Sequence, residues 1–247
     1  MGNPEPSHTS ADRAKPPDPK DSFSEFRCPL LVLALTTGIA GFLDAFAFLR
    51  YGVFVANQSG NVILFGIGAV GQHPAWPAAA ASLVGFAAGA ALSTWVRLMA
   101  SRWSSSARGI AAAVLTMAFW AVLNVLLEYG RHGTVGKIVL AAVGGLAMGS
   151  LATLFVRTAG IASTITYQSG TVAKTGERIA AWLAGPSADR RRARRALLLG
   201  LMMLASYALG GGIGALAQQR PLLAPTWATL ALAIVTLSLA RPARSRP

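Results

Sequence analysis

Two stretches decide the reading: Asn57-Gln58-Ser59-Gly60-Asn61-Val62 and Tyr167-Gln168-Ser169-Gly170-Thr171-Val172. Each sits inside otherwise apolar sequence, and the Gln-Ser-Gly cores are 110 residues apart. The likeness continues outward. Upstream, Gly38, Ala40, Ala45, Phe48 and Arg50 match Gly145, Ala147, Ala152, Phe155 and Arg157. Downstream, Phe86, Gly89 and Ser93 match Tyr207, Gly210 and Gly214. A duplicated chain with paired polar breaks at membrane depth is a sequence-level pointer to a solute site between two halves.

The surrounding composition is that of a membrane protein. Hydrophobic residues make up 53% and charged residues 13%, against roughly 25% charged in soluble domains. Apolar runs cover Pro29–Leu49, Val53–Val70, Trp76–Val96, Ile110–Leu127, Ile138–Val156, Ala196–Ala217 and Thr226–Ala240. Several approach the ~20 residues needed to cross the hydrocarbon layer. The expected fold is an all-α integral membrane bundle of about six spans plus two broken or re-entrant segments, built from an internal duplication. Its expected parts are a disordered tail over 1–27, a membrane domain over 28–240 and a basic tail over 241–247. The repeats fall at about 29–128 and 136–240. The proline-rich, polar first 27 residues cannot bury enough apolar area to offset backbone ordering.

The net charge of +13 does not indicate nucleic-acid binding. Arg97, Arg102, Arg108, the run Arg190–Arg195 and Arg241, Arg244 and Arg246 all border apolar spans. Positive residues there orient helices and can touch anionic headgroups, and no recognition motif accompanies them. One cysteine, Cys28, excludes an internal disulfide framework, and His8, His73 and His132 lack ligand-type spacing. No metal site, cofactor or catalytic centre is expected; the chain does not read as an enzyme.

The basic loops constrain the crossings. If neither Gln-Ser-Gly segment crosses, loops 97–109 and 185–196 and both tails share the cytoplasmic side. Each half then has an odd number of crossings, which inverts the repeats. If only the first segment crosses, seven spans result, with the N-terminal tail alone outside. Six spans is the preferred reading, and seven remains open.

A re-entrant segment must be buried in protein or line a watery cavity. Asn57, Gln58, Ser59, Asn61, Gln168, Ser169 and Thr171 supply short polar groups for freed backbone or for a solute, and Gly60 and Gly170 allow close approach. The plainer reading is that Gln-Ser-Gly only glues helices together. Asp44 lies 14 residues after Leu30, about 21 Å along a helix. A carboxylate at that depth costs ~2.5–3.5 kcal/mol on insertion scales. It is a candidate for proton coupling, or a structural group bonded to the broken segments or paired with Arg50, Arg157 or Lys174. Its mate in the second half is Leu151. Small residues at four-residue spacing, Gly85, Gly89 and Ser93 and again Ser206, Gly210 and Gly214, predict helices packed backbone to backbone.

The run Gly41-Phe-Leu-Asp44-Ala followed by Phe54-Val-Ala-Asn57-Gln-Ser-Gly60-Asn61 resembles the signature of the YoaK-like family of bacterial membrane proteins, G-F-x-D-A then F-x-A-N-x-T-G-N. Ser59 replaces the usual threonine, and Ser150-Leu151-Ala152 stands where the family tends to carry Gln-Asn-Ala. The resemblance implies a multi-pass protein of the bacterial inner (plasma) membrane and brings no biochemical activity with it. The expected function is a secondary transporter or permease for an unidentified small solute, bound between Asn57–Asn61 and Gln168–Thr171. The alternatives are a channel-like facilitative pore and a non-transport scaffold or regulator. Expected partners are the lipid bilayer, the solute and, through the small-residue faces, further copies of the chain.

Overall fold

A computed structural model describes residues 28–99, 105–128, 133–153, 157–158, 161–162, 168–220 and 224–239; both expected tails lie outside the described residues. Among the described residues eight helices follow in order: α1 (Pro29–Tyr51), α2 (Gln58–Ala69), α3 (Trp76–Met99), α4 (Ser105–Glu128), α5 (Thr134–Ala152), α6 (Gln168–Ala184), α7 (Ser187–Ala217) and α8 (Ala224–Leu239). Between α5 and α6, Arg157–Thr158 (β1) and Ile161–Ala162 (β2) form a minimal antiparallel pair. The chain is an all-α membrane bundle: α1, α3, α4, α5 and α7 each contain a stretch long and apolar enough to span a bilayer, and α8 is a shorter apolar helix.

The first interruption is written in local sequence. Pro29 opens α1, and Gly52, in the left-handed region at φ +79°, closes it with its N–H on the Phe48 carbonyl. A side chain there would be strained, so glycine provides a sharp stop. Residues 53–57 are not helical, and Asn57 then caps α2 by accepting the Gly60 N–H. Tyr51 lies seven residues beyond Asp44, about 10 Å further along α1. Yet Val55, Ala56 and Asn57 return to bond Asp44. The chain therefore doubles back: 53–57 descends beside α1, and the 12-residue α2 leaves again. At about 18 Å, α2 is too short to span.

The bundle is held by two glycine-lined crossings, α1 on α7 and α3 on α5. A Cβ on Gly210 would fall 1.9 Å from the Gly38 carbonyl, one on Gly41 2.1 Å from the Tyr207 carbonyl, and one on Gly214 2.2 Å from the Phe42 carbonyl. In the other crossing, Gly85 and Gly89 would meet the carbonyls of Ala142 and Leu146 at 2.0 and 1.9 Å, and Gly149 that of Phe86 at 2.0 Å. This is the backbone-to-backbone packing expected of small residues in a bilayer, where dispersion between close helices replaces the hydrophobic effect.

These contacts also give helix direction. Gly38 meets Ser206 and Gly210, and Phe42 meets Gly214, so α1 and α7 run the same way. Phe46 packs edge-on against Trp120, and Tyr51 bonds Asn124, so α1 and α4 also run the same way. Gly85 meets Ala142 and Gly89 meets Leu146, so α3 and α5 are parallel too. The core lies where these helices meet, around Leu43, Phe46, Met117, Trp120, Leu140 and Met148.

Candidate functional site at the first helix break

Burying non-helical backbone in a bilayer leaves amide groups that lipid cannot satisfy. At residues 53–57 the protein supplies partners for them. Asp44, 2% exposed, accepts the Val55 and Ala56 N–H groups on Oδ1 at 2.8 and 2.6 Å, and the Asn57 N–H on Oδ2 at 2.9 Å. The Tyr207 hydroxyl, from α7, donates to the same Oδ2. All four partners are donors, the set that an acceptor-only carboxylate satisfies. Arg50 and Lys174 are not among them; Arg50 is half-buried in the last turn of α1 and Lys174 is exposed on α6. The Arg157 side chain lies outside the described residues.

A second network closes the rest of the break. Asn61, fully buried, accepts the Phe54 N–H at 2.9 Å and donates to the Phe54 carbonyl at 2.7 Å, so one amide replaces a lost rung of backbone pairing. Its Nδ2 also lies within bonding distance of Gln58 Oε1 and Ser82 Oγ. Gln58 donates to the Val55 carbonyl, and Ser82, from α3, to that of Phe54. Ser59 is exposed, and its hydroxyl donates to Asn57 Oδ1. At Gly60, a Cβ would sit 2.7 Å from the Phe54 ring, which stacks on Phe48 at 4.8 Å between centroids. Asn57, Gln58, Gly60 and Asn61 are thus brought together with Asp44.

The second copy is built differently. Tyr167 lies outside the described residues. Gln168, Ser169, Gly170 and Thr171 open α6, with Ser169 exposed. Thr175 caps back onto the Thr171 carbonyl and fills the space beside Gly200, and Arg178 donates to the Ala196 carbonyl. Glu177, like Lys174, is exposed. α6 packs on α7 and α2 on α3; the two Gln-Ser-Gly helices are not packed on each other. Among the described residues no group of three His, Cys, Asp or Glu side chains could hold a metal.

A family model described as "Protein of unknown function (DUF1275)" matches residues 32–240, from the first turn of α1 to the end of α8. The chain belongs to the DUF1275 family. No curated protein and no solved structure matches it. The matched DUF1275 region contains both helix breaks, Asp44 and both glycine crossings.

Sequence reading missed Tyr207 and Ser82 as members of this site. A signal for Tyr207 existed: where the first half has Asp44 and the second Leu151, the matched downstream positions are Phe86 and Tyr207. The α1–α7 crossing therefore carries a polar pair, and the α3–α5 crossing carries Leu and Phe at the equivalent places.

Proposed function

We propose that the protein is a secondary transporter or permease for a small solute, built from two inverted repeats, with Asp44 as its coupling group. The observation that carries this reading is the Asp44 carboxyl group, which ties the re-entrant backbone of the first half to α7 of the second. Exchanging the halves turns α1–α7 into α5–α3 and α2–α3 into α6–α7, and each of these pairs is packed. Six crossings place α1, α4 and α7 in one direction, as their contacts do. A seventh crossing through α2 would reverse α1 relative to α4. Inverted repeats with interrupted helices suit alternating access around a central site. The YoaK-like signature covers Asp44 and its clamped segment.

Proton uptake has a defined consequence here. A protonated carboxyl must donate one bond, and its three N–H partners cannot accept. Tyr207 Oη alone can, so protonation reverses the Asp44–Tyr207 bond and leaves that hydroxyl to find a new acceptor on α7. The carboxyl proton is thereby linked to the contact between halves. Proteoliposomes with an imposed pH gradient and a panel of small solutes test this. Wild-type protein should concentrate its solute, Asp44→Asn should carry it only downhill, and Tyr207→Phe should uncouple in part. Undiminished concentrative uptake by Asp44→Asn would remove Asp44 from coupling. The internal bonding of Gln58 and Asn61 favours a second reading, a non-transport scaffold. On that reading, replacing Gln58 and Gln168 changes assembly and no solute flux.

A further inference from the structure

α7 is longer than a bilayer requires. Its 31 residues extend about 46 Å, against ~30 Å of hydrocarbon. The excess lies at its start, Ser187-Ala-Asp-Arg190-Arg191-Arg192-Ala-Arg194-Arg195. That is an unfavourable place for arginines. They sit at the positive end of the helix dipole, and Arg190 with Arg194 and Arg191 with Arg195 are like charges at four-residue spacing, which repel. All are exposed. Asp189 is the one acid in the first turn, and among the described residues no carboxylate pairs with these arginines. Among the described residues, Arg190 alone of these arginines makes a protein bond, through Nε to the Gly185 carbonyl at 2.9 Å, which pins it to the α6–α7 turn.

Their direction identifies the missing partner. At about 100° per residue, Arg190, Arg191, Arg194 and Arg195 fall within one sector of α7, roughly 140° wide. Leu198, Leu201, Leu209, Ile213 and Leu216 fall in the same sector and are 46–74% exposed. The bundle-facing side carries Ala196, Leu197, Gly200 and Met203. The arginines therefore continue, one turn further out, the stripe of α7 that faces lipid tails. Trp182 and Leu183, at the end of α6 just before the turn, are 40% and 63% exposed, as suits side chains at the boundary between tails and headgroups.

We propose that the α6–α7 hairpin is a binding site for anionic phospholipid headgroups, with Arg190, Arg191, Arg194 and Arg195 meeting lipid phosphates and Trp182 and Leu183 seated among the upper acyl carbons. The bound phosphates offset both the dipole and the mutual repulsion, so the lipid stabilises the first turns of α7. Attraction to an anionic surface is worth about fivefold in affinity per arginine.

The test uses the full chain in phosphatidylcholine nanodiscs, titrated with short-chain phosphatidylglycerol. The readouts are retained lipid by native mass spectrometry and the thermal unfolding midpoint. The R190Q/R191Q/R194Q/R195Q variant should bind at least tenfold more weakly and lose the lipid-dependent rise in midpoint. Arg220→Gln, at the far end of α7, should match wild type. If the quadruple variant does not fold, R191Q/R195Q carries the test through a weaker affinity and a shallower salt dependence. Unchanged phosphatidylglycerol binding by whichever variant folds overturns the proposal. So does tighter binding of inorganic pyrophosphate or a 20-nucleotide DNA in phosphatidylcholine discs, which would assign the arginines to a soluble polyanion.

Discussion

Replacing Asp44 with alanine strips three backbone N–H groups of their acceptor at once. Val55 and Ala56 are buried to within 1% of full enclosure, and an unsatisfied buried donor costs about 1–3 kcal/mol. For Val55, Ala56 and Asn57 together the gross loss is therefore about 3–9 kcal/mol. Removing the carboxylate itself returns the ~2.5–3.5 kcal/mol that a charge costs at that depth. The net expectation is a destabilisation of about 3 kcal/mol, within a range of roughly 0–6. Asp44→Asn keeps Oδ1 for Val55 and Ala56 but loses the acceptor for Asn57 and Tyr207, so it should fall between Asp44→Ala and wild type. Tyr207→Phe removes one bond and should cost about 1 kcal/mol. Reversible unfolding in mixed micelles measures the series, and hydrogen exchange at residues 55–57 locates the effect. If Asp44→Ala is no less stable than Tyr207→Phe, or if exchange at 55–57 does not rise, the carboxyl group is not what holds the re-entrant backbone.

The glycine crossings should tolerate nothing larger. Gly210→Ala and Gly89→Ala each force a carbonyl away from a Cβ 1.9 Å distant and should lose at least ~2 kcal/mol, whereas Gly212→Ala, with nothing within 4 Å, should gain up to about 1 kcal/mol from helix propensity; thermal midpoints compare them. Asn61→Leu should destabilise by about 2–4 kcal/mol through its two lost bonds to Phe54, while the exposed Ser59→Ala should stay within ~0.5 kcal/mol. Cys28, exposed just before α1, should resist a membrane-impermeant maleimide in intact cells and react after lysis. Labelling in both would invert every loop and place the arginine-rich start of α7 outside, against the positive-inside rule.

Much of the bundle is legible in sequence because the bilayer imposes length and apolarity on each crossing. The apolar runs at Trp76–Val96 and Ile110–Leu127 lie within α3 and α4. Gly52 and Asn57 divide what hydropathy reads as one segment over Val53–Val70 into a turn and a short helix. α7 was harder to bound: its apolar run begins at Ala196, but the helix starts nine residues earlier, through arginines that hydropathy counts as loop. The candidate site was half legible. Asp44 and the Asn57–Asn61 run stand out as polar groups at depth. Their pairing does not, because it depends on a crossing between helices 163 residues apart in the chain. The juxtaposition of Gln58 with Gln168 suggested by the repeat is not a packing contact, since α2 and α6 each stay beside the neighbour that follows them in sequence.

The exchanged pairing of helices has a consequence for biosynthesis. α1 packs on α7, so a helix made early waits for one made much later. At 5–20 residues per second, the 163 residues separating Asp44 from Tyr207 take on the order of ten to thirty seconds to make. Throughout that interval α1 presents its bare glycine face and a carboxyl group lacking one partner to whatever lies beside it. The α1–α7 crossing and the Asp44–Tyr207 bond therefore form only once α7 has been made, and the packing of α1 is completed late rather than as it emerges.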